Sequence, residues 1–324
     1  MAKTVKCELC PNGCVLGINE VSRCRTRKNK DGVLYSLVYG KPCAVHVDPI
    51  EKKPFFHFLP GTTAFSIATA GCVLSCKFCQ NWQISQARPE DTDTYNLPPD
   101  RVVLNAQFYG SESISYTYTE PTVFYEYMYD TAVIAREKGI RNTMHSCGYI
   151  NEKPLRKLSK YMDAADIDLK AFTEGFYARI CGGSLKPVLK SLIVLKDEGV
   201  WLEITNLVIP TLNDDMDKIK EMCRWILKNL GPDVPLHFSR FVPHYKLKNL
   251  PPTPLETLTG ARNTAMDVGL KYVYIGNIRH EGENTYCPKC NKILIEREGF
   301  FVKQNNISNG KCRFCGRSIA GVWS

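Results

Sequence analysis

From Thr62 onward, two hydrophobic periods alternate along the chain. Short runs that are apolar on one or both faces predict β-strands at Ala64 to Ala70, Ser113 to Thr119, Asn142 to Ser146, Ala165 to Leu169, Val200 to Val208 and Leu236 to Val242. Each precedes a stretch expected to be helical: Asp100 to Tyr109, Thr122 to Lys138, Lys153 to Met162, Pro187 to Glu198, Asp214 to Leu230 and Leu255 to Val268. Val123, Tyr127 and Ile134 share one helix face and are assigned to packing. Pro121 and Asn213-Asp214-Asp215 are helix-start signals, and Gly139, Gly199, Gly231 and Gly269 follow helix ends. Six strand–helix units with a further strand at Tyr272 to Ile275 predict an α/β chain folded as a partial (β/α)6 barrel, with its active site at the C-terminal ends of the strands. Residues 1–60 and 280–324 lack such long periodic runs, so the chain divides into an N-terminal extension (1–60), a barrel (61–279) and a C-terminal module (280–324).

The candidate chemistry lies in the cysteines. Cys72, Cys76 and Cys79 form a C-x3-C-x2-C run just past the first predicted strand. Three thiolates leave one iron of a [4Fe-4S] cubane without a protein ligand, whereas structural zinc wants four donors and no fourth follows closely. At the C-terminus, Cys287-x2-Cys290 and Cys312-x2-Cys315, 21 residues apart, are two knuckles of a zinc ribbon, with rubredoxin-like iron as the rival. Cys7, Cys10, Cys14 and Cys24 form a third set, open between structural zinc, a second iron–sulfur cluster and no metal. Cys43, Cys181 and Cys223 stand alone and are expected to be small core residues.

Composition narrows the class. With 44% apolar and 23% charged residues over 324 positions, the chain can bury a sizeable core and is not disordered. A net charge of +9 suggests acidic partners such as nucleotides or nucleic acid. Metal-bound thiolates would offset part of it, and outside Arg23-Cys24-Arg25-Thr26-Arg27-Lys28 the basic residues are dispersed. Fifteen cysteines without an apolar leader at Met1 to Cys7, and without a membrane-length apolar run, predict a cytoplasmic protein whose cysteines bind metals rather than cross-link it.

With Phe78 before the third cysteine, the Cys72 to Cys79 run resembles that of the radical S-adenosylmethionine (SAM) enzymes. Taken with Cys7-Glu8-Leu9-Cys10-Pro11, Pro49-Ile50-Glu51-Lys52-Lys53-Pro54, His57-Phe58-Leu59-Pro60-Gly61 and Cys79-Gln80-Asn81-Trp82, the chain is similar over most of residues 7–280 to the radical SAM component of the AmmeMemoRadiSam system, a relative of the pyruvate formate-lyase activating enzymes. The resemblance implies a radical SAM barrel, a [4Fe-4S] cluster on Cys72, Cys76 and Cys79, and SAM chelated to the open iron. Glu120 and Pro121 match the family's Gly-Gly-Glu-Pro turn, its glycines replaced by Tyr118 and Thr119, which makes Glu120 the expected ligand of the SAM amino group. Asp168 and Lys170 match an Asp-x-Lys strand, with Lys170 aimed at the methionine carboxylate. His145-Ser146-Cys147-Gly148 stands for Asp-Thr-Asn-Gly, which adds Ser146 to the SAM set and makes His145 and Cys147 candidates for substrate contact or radical quenching. Asn206, in the segment expected against the adenine, and His244, expected near the methionine group, complete it.

The implied activity is reductive cleavage of SAM to a 5'-deoxyadenosyl radical that abstracts hydrogen, in an anaerobic or well-protected cell. Flavodoxin or ferredoxin is the implied reductant, and a glycyl residue of a partner protein the implied target. Modification of RNA, a peptide or a small metabolite is the alternative. An inactive metal-binding scaffold is the non-enzymatic one.

Overall fold

The computed structural model describes residues 3–324. Eight strands form one sheet: β1 (Ala44–Pro49), β2 (Thr63–Ala68), β3 (Ser113–Tyr116), β4 (Arg141–Ser146), β5 (Ala164–Asp168), β6 (Trp201–Val208), β7 (Leu236–Arg240) and β8 (Val273–Gly276). They lie in chain order across the sheet, β2 to β8 parallel and β1 antiparallel to β2. Six helices return the chain between strands: α1 (Pro99–Phe108), α2 (Tyr125–Glu137), α3 (Glu152–Ser159), α4 (Leu185–Asp197), α5 (Met216–Leu230) and α6 (Leu255–Val268). The start signals act as expected. Asp215 caps α5 by accepting from the amides of Asp217 and Lys218, and Glu120 accepts from Thr122 N at the turn that leads into α2.

Two differences from the sequence expectation have local causes. β1 carries His46 and Asp48 and is half-exposed at the sheet edge, so it lacks the apolar run that marks the inner strands. It joins residues 44–49 to the same sheet as the barrel strands. β3 stops at Tyr116 rather than Thr119, because Tyr118 turns to a φ of +62°. Such a conformation costs a side-chain-bearing residue about 1–2 kcal/mol. Here it is offset by a hydrogen bond from the Tyr118 hydroxyl to Asp48, by Lys53 Nζ 4.1 Å above the ring, and by Asn81 Nδ2 donating to Tyr118 O at 2.7 Å.

The segment between β1 and β2 closes the barrel beneath the N-terminal ends of the strands. Ile50, Phe55, Phe58 and Leu59 pack there with Ala64 and Ala164, the first residues or nearly so of β2 and β5. Burial of each phenylalanine contributes about 2–3 kcal/mol. The C-terminal module, built on an antiparallel pair β9 (Ile293–Glu298) and β10 (Phe301–Asn305), packs its Leu294, Ile295 and Ile319 on Phe56, Tyr272 and Tyr274. Arg297 is the polar centre of that seam. Its Nη2 donates to Phe56 O at 2.7 Å, its Nη1 to Thr285 Oγ1 at 2.8 Å, and its guanidinium lies 4.0 Å above the Phe56 ring and 3.8 Å from Glu51.

Burial pushes the Glu51 carboxyl up to about 7, against the pull of Arg297. Arg297→Met is therefore expected to lower stability by about 3 kcal/mol, since it strands a buried acid. The second substitution Glu51→Gln should recover part of that loss in chemical denaturation.

Candidate functional site

Residues 72–79 leave β2 at its C-terminal end as a loop pinned from below: Ser75 N donates to Cys181 O at 2.8 Å and Lys77 N to Ile180 O at 3.0 Å. Gly182, at φ +72°, has no room for a side chain, because a Cβ would fall 2.4 Å from Ser75 Oγ. So held, Cys72, Cys76 and Cys79 all line a cavity of 530 Å³ that runs from the C-terminal ends of the strands to Glu51–Pro54 and Phe56 of the segment between β1 and β2. Leu74 N donates to Cys72 Sγ at 3.4 Å, and Ser85 Oγ lies 3.2 Å from Cys79 Sγ. The neighbouring Cys181 lowers the Cys76 thiol against the effect of burial, while burial raises Cys72 and Cys79. Sequence spacing gave no hint of the Cys181 contact, which arises from an irregular turn over Tyr177–Cys181.

The opposite wall carries Glu120, 2% exposed, whose carboxylate bridges two turns. Oε1 accepts from Thr122 N (3.1 Å), Thr122 Oγ1 (2.6 Å) and Ser146 Oγ (2.8 Å), and Oε2 accepts from Cys147 N (2.8 Å). Its acceptor sites are thus largely taken up by protein donors. Ser146 and Cys147 face the cavity beside it.

On β5, Asp166, Asp168 and then Lys170 recur every second residue and so share the inner face of the strand. Lys170 Nζ sits 2.8 Å from Asp168 Oδ2 and 5.6 Å from the Phe78 ring centre. Burial disfavours its ammonium, yet Asp168 and the surrounding thiols Cys76, Cys147 and Cys181 hold the pKa well above the usual lysine value. His145 Nδ1 lies 2.5 Å from Asp166 Oδ2, an ion pair by distance rather than a directed hydrogen bond, and its Nε2 3.5 Å from Asp168 Oδ2. Although burial opposes it, Asp168 and Asp166 raise His145 to about 10. Thr205 Oγ1 donates to Asp166 at 3.0 Å. His145, Asp166 and Asp168 are close enough to hold a cation. The imidazolium and Lys170 already neutralise the two carboxylates.

Two sequence-chosen residues lie elsewhere. Asn206 alternates out of the cavity, its Nδ2 on Leu169 O at 2.6 Å and near Met222 of α5, so Thr205 and Leu207 are what β6 presents inward. His244 is in a turn outside the lining. Its neighbours reach the cluster loop instead: Tyr245 stacks on Trp82 at 5.3 Å, and Lys246 N donates to Lys77 O at 2.9 Å.

The donor sets differ in size. Cys287, Cys290, Cys312 and Cys315 have their sulfurs within 4.8 Å of one another, with Cys287 to Cys315 at 3.6 Å and Cys290 to Cys312 at 3.8 Å. A tetrahedron with metal–sulfur bonds of about 2.3 Å has an edge of about 3.8 Å, so this set fits a single ion. The sulfurs of Cys72, Cys76 and Cys79 are not all within 4.8 Å of one another. Of the N-terminal set, Cys7 and Cys14 are joined by the bond from Cys7 N to Cys14 O at 2.8 Å, and Cys7, Cys10, Cys14 and Cys24 do not line the cavity. All fifteen cysteines are free thiols, and no helix among the described residues is long and apolar enough to cross a membrane.

Comparison with known proteins gives a matching family, the Radical SAM superfamily, over residues 66–226. The chain is 48% identical over 318 residues to MJ0808 of Methanocaldococcus jannaschii, described as uncharacterized, covering 97% of this chain and 95% of that one. It is 22% identical over 174 residues to the pyruvate formate-lyase-activating enzyme of Listeria monocytogenes, covering 50% of this chain and 68% of that protein. Among solved structures, Streptococcus suis SuiB bound to its precursor peptide SuiA superposes with a TM-score of 0.53 at 16% identity, over 71% of this chain and about half (52%) of SuiB.

Two outcomes follow from the geometry. A histidine raised to about 10 contributes stability that is fully present below its unfolded value of about 6.5 and is lost as pH rises through about 10. Denaturation midpoints from pH 7 to 10 should therefore fall more steeply for the wild type than for His145→Gln. Elemental analysis should find about one ion per chain in the C-terminal set, lost in Cys312→Ser.

Proposed function

The chain belongs to the radical SAM superfamily, and from that premise we propose that it reductively cleaves SAM at a [4Fe-4S] cluster on Cys72, Cys76 and Cys79 and uses the product to abstract hydrogen from a substrate in the cavity. When bound, the cluster and SAM together supply a 5'-deoxyadenosyl radical after one-electron reduction, for which a flavodoxin or ferredoxin is the fitting donor class. The observation that carries this reading is three thiols on one loop that open onto a cavity walled by Glu120 and Lys170; three thiolates would leave one iron of a four-iron cluster without a protein ligand. A cavity of 530 Å³ is of small-molecule size, a class that spans about 300–1,000 Å³.

The residues divide the work by charge. Lys170 Nζ commits one donor to Asp168 and keeps others for a carboxylate, so it orients the acid end of a bound amino acid. Glu120 supplies the negative counterpart. Of its two hydroxyl donors, Ser146 Oγ and Thr122 Oγ1, Ser146 lines the cavity and can rotate aside for an incoming ammonium. Phe78, Thr205 and Leu207 wall the interior and exclude water.

The finer reading is that the substrate is a segment of a partner protein, with a glycyl C–H as the target. The activating-enzyme relatives support it. So does the mouth, which is edged by Phe300, 47% exposed at the tip of the β9–β10 hairpin and suited to an apolar segment rather than a free metabolite. Zn²⁺ is the proposed ion in the C-terminal set, with rubredoxin-like iron as the other occupant of that geometry.

Anoxically reconstituted protein given dithionite and SAM should form 5'-deoxyadenosine, and Cys72→Ala should form none. Formation by that variant at the wild-type rate would refute the assignment. Lys170→Ala should raise the half-saturating SAM concentration about tenfold, the loss of one charge-assisted contact.

A further inference from the structure

Resting on the cluster reading of Cys72, Cys76 and Cys79, we propose that the outer face of their loop docks an acidic flavoprotein that delivers the reducing electron. Arg179, Lys77 and Lys246 form the basic row of that face, beside the stacked rings of Trp82 and Tyr245. The loop here is a wall one chain thick. Cys76 and Phe78 are buried and line the cavity, whereas Ser75 and Lys77, which alternate with them, are exposed. Electron transfer through protein slows steeply with distance, so a donor does best where a single residue separates it from the thiols.

Backbone hydrogen bonds set the three cations side by side. Lys77 N donates to Ile180 O at 3.0 Å, which brings the adjoining Arg179 alongside, and Lys77 O accepts from Lys246 N at 2.9 Å. All three residues are exposed, and none is ion-paired among the described residues. Glu174, shortly before Arg179, has its carboxylate engaged by Leu185 N at 2.9 Å and Lys186 N at 3.2 Å. The row is thus left for a partner of opposite charge, which it would steer towards the thiols.

The segment after β7 is bent to complete this face. Tyr245 holds a φ of +51°, a left-handed conformation that is costly for a residue with a side chain, and lies nearly flat on Trp82, ring centres 5.3 Å apart and planes 13° from parallel. Trp82, three residues after Cys79, stays 39% exposed, and Lys246 Nζ sits 5.1 Å from the Tyr245 ring centre. Two exposed rings beside cations suit a carrier whose redox group is itself an aromatic ring, such as a flavin, better than an iron–sulfur carrier. One electron passes from the flavin hydroquinone, which is oxidised by one electron and keeps its proton, to the cluster, which is reduced by one. No bond forms or breaks.

The test uses the full chain, reconstituted anoxically with iron and sulfide. Calorimetry with oxidised flavodoxin should show saturable binding that weakens as salt is raised. Lys77→Glu/Arg179→Glu/Lys246→Glu should bind about tenfold more weakly or worse and lose that salt dependence. With sub-saturating flavodoxin hydroquinone it should form 5'-deoxyadenosine about tenfold more slowly than the wild type, yet match the wild type with dithionite, which also shows that it folds. Lys220→Glu/Arg224→Glu/Lys228→Glu makes the same change of net charge on exposed positions of α5 and should leave flavodoxin binding within about twofold. Unchanged binding by the first variant, or equal weakening by both, would overturn the proposal, as would a wild type reduced by ferredoxin but not by flavodoxin. A wild type that forms no 5'-deoxyadenosine with dithionite would instead refute the cluster reading, and the calorimetric comparison does not depend on that result.

Discussion

Two carboxylates and two cations inside the barrel must neutralise one another, and the site is arranged around that requirement. Asp166 and Asp168 are presented inward by the two-residue repeat of β5, and neither could remain ionised there alone. His145 reaches them from β4, and Lys170 folds back from the end of β5. Losing any one member would leave an uncompensated buried charge, which costs several kcal/mol. The set therefore fixes the register of β4 against β5, the pair bringing His145 opposite Asp166. That register places Ser146 and Cys147 within reach of Glu120, on the turn after β3. Lys170 is left with a guaranteed charge at the position facing the three thiols.

How much of this was legible in the sequence depended on whether a residue's role was local. The inner strands, the helix caps and the Asp166-Ile167-Asp168-Leu169-Lys170 alternation follow from period and turn chemistry, and the parallel sheet follows from them. The three-cysteine run was legible as one loop, and the structure brings its three thiols to one cavity. Contacts between distant segments could not be read. Cys181 is the buried core thiol its isolation suggested, but nothing in the sequence showed that its carbonyl would hold the cluster loop by accepting from Ser75 N. Asn206 was chosen from a sequence string, but in a strand adjacent residues face opposite ways, and Thr205 and Leu207 own the inward face. The glycine-free turn at Tyr118 was the hardest case. Its left-handed backbone depends on Asp48, Lys53 and Asn81, all outside its own segment.

Buried polar partners also explain why the terminal segments belong to the working structure. Arg297 is held by Phe56 O, Glu283 O, Thr285 Oγ1 and the neighbourhood of Glu51, groups contributed by the segment below the strands and by the module itself. The seam cannot open without exposing a cation and an acid to imperfect solvation. Phe300 reaches the cavity mouth from the hairpin that Arg297 anchors, so the module supplies part of the site's rim.

The N-terminal side makes the same argument through backbone contact. Gly71, where the cluster loop begins, is compatible with no larger residue because Cys24 O and Thr26 occupy the space a Cβ would need. Arg23 Nη2 donates to Gly182 O at 2.7 Å, and Gly182 in turn borders Ser75. Three thiols can be presented to one cavity only if the loop between them cannot relax, and its own sequence, rich in small and apolar residues, has little means to enforce that. The rigidity comes from both flanks: the irregular turn at Tyr177–Cys181 below and the cysteine-rich turns behind. The geometry of Cys72, Cys76 and Cys79 is thus a property of several distant segments of the molecule rather than of eight consecutive residues.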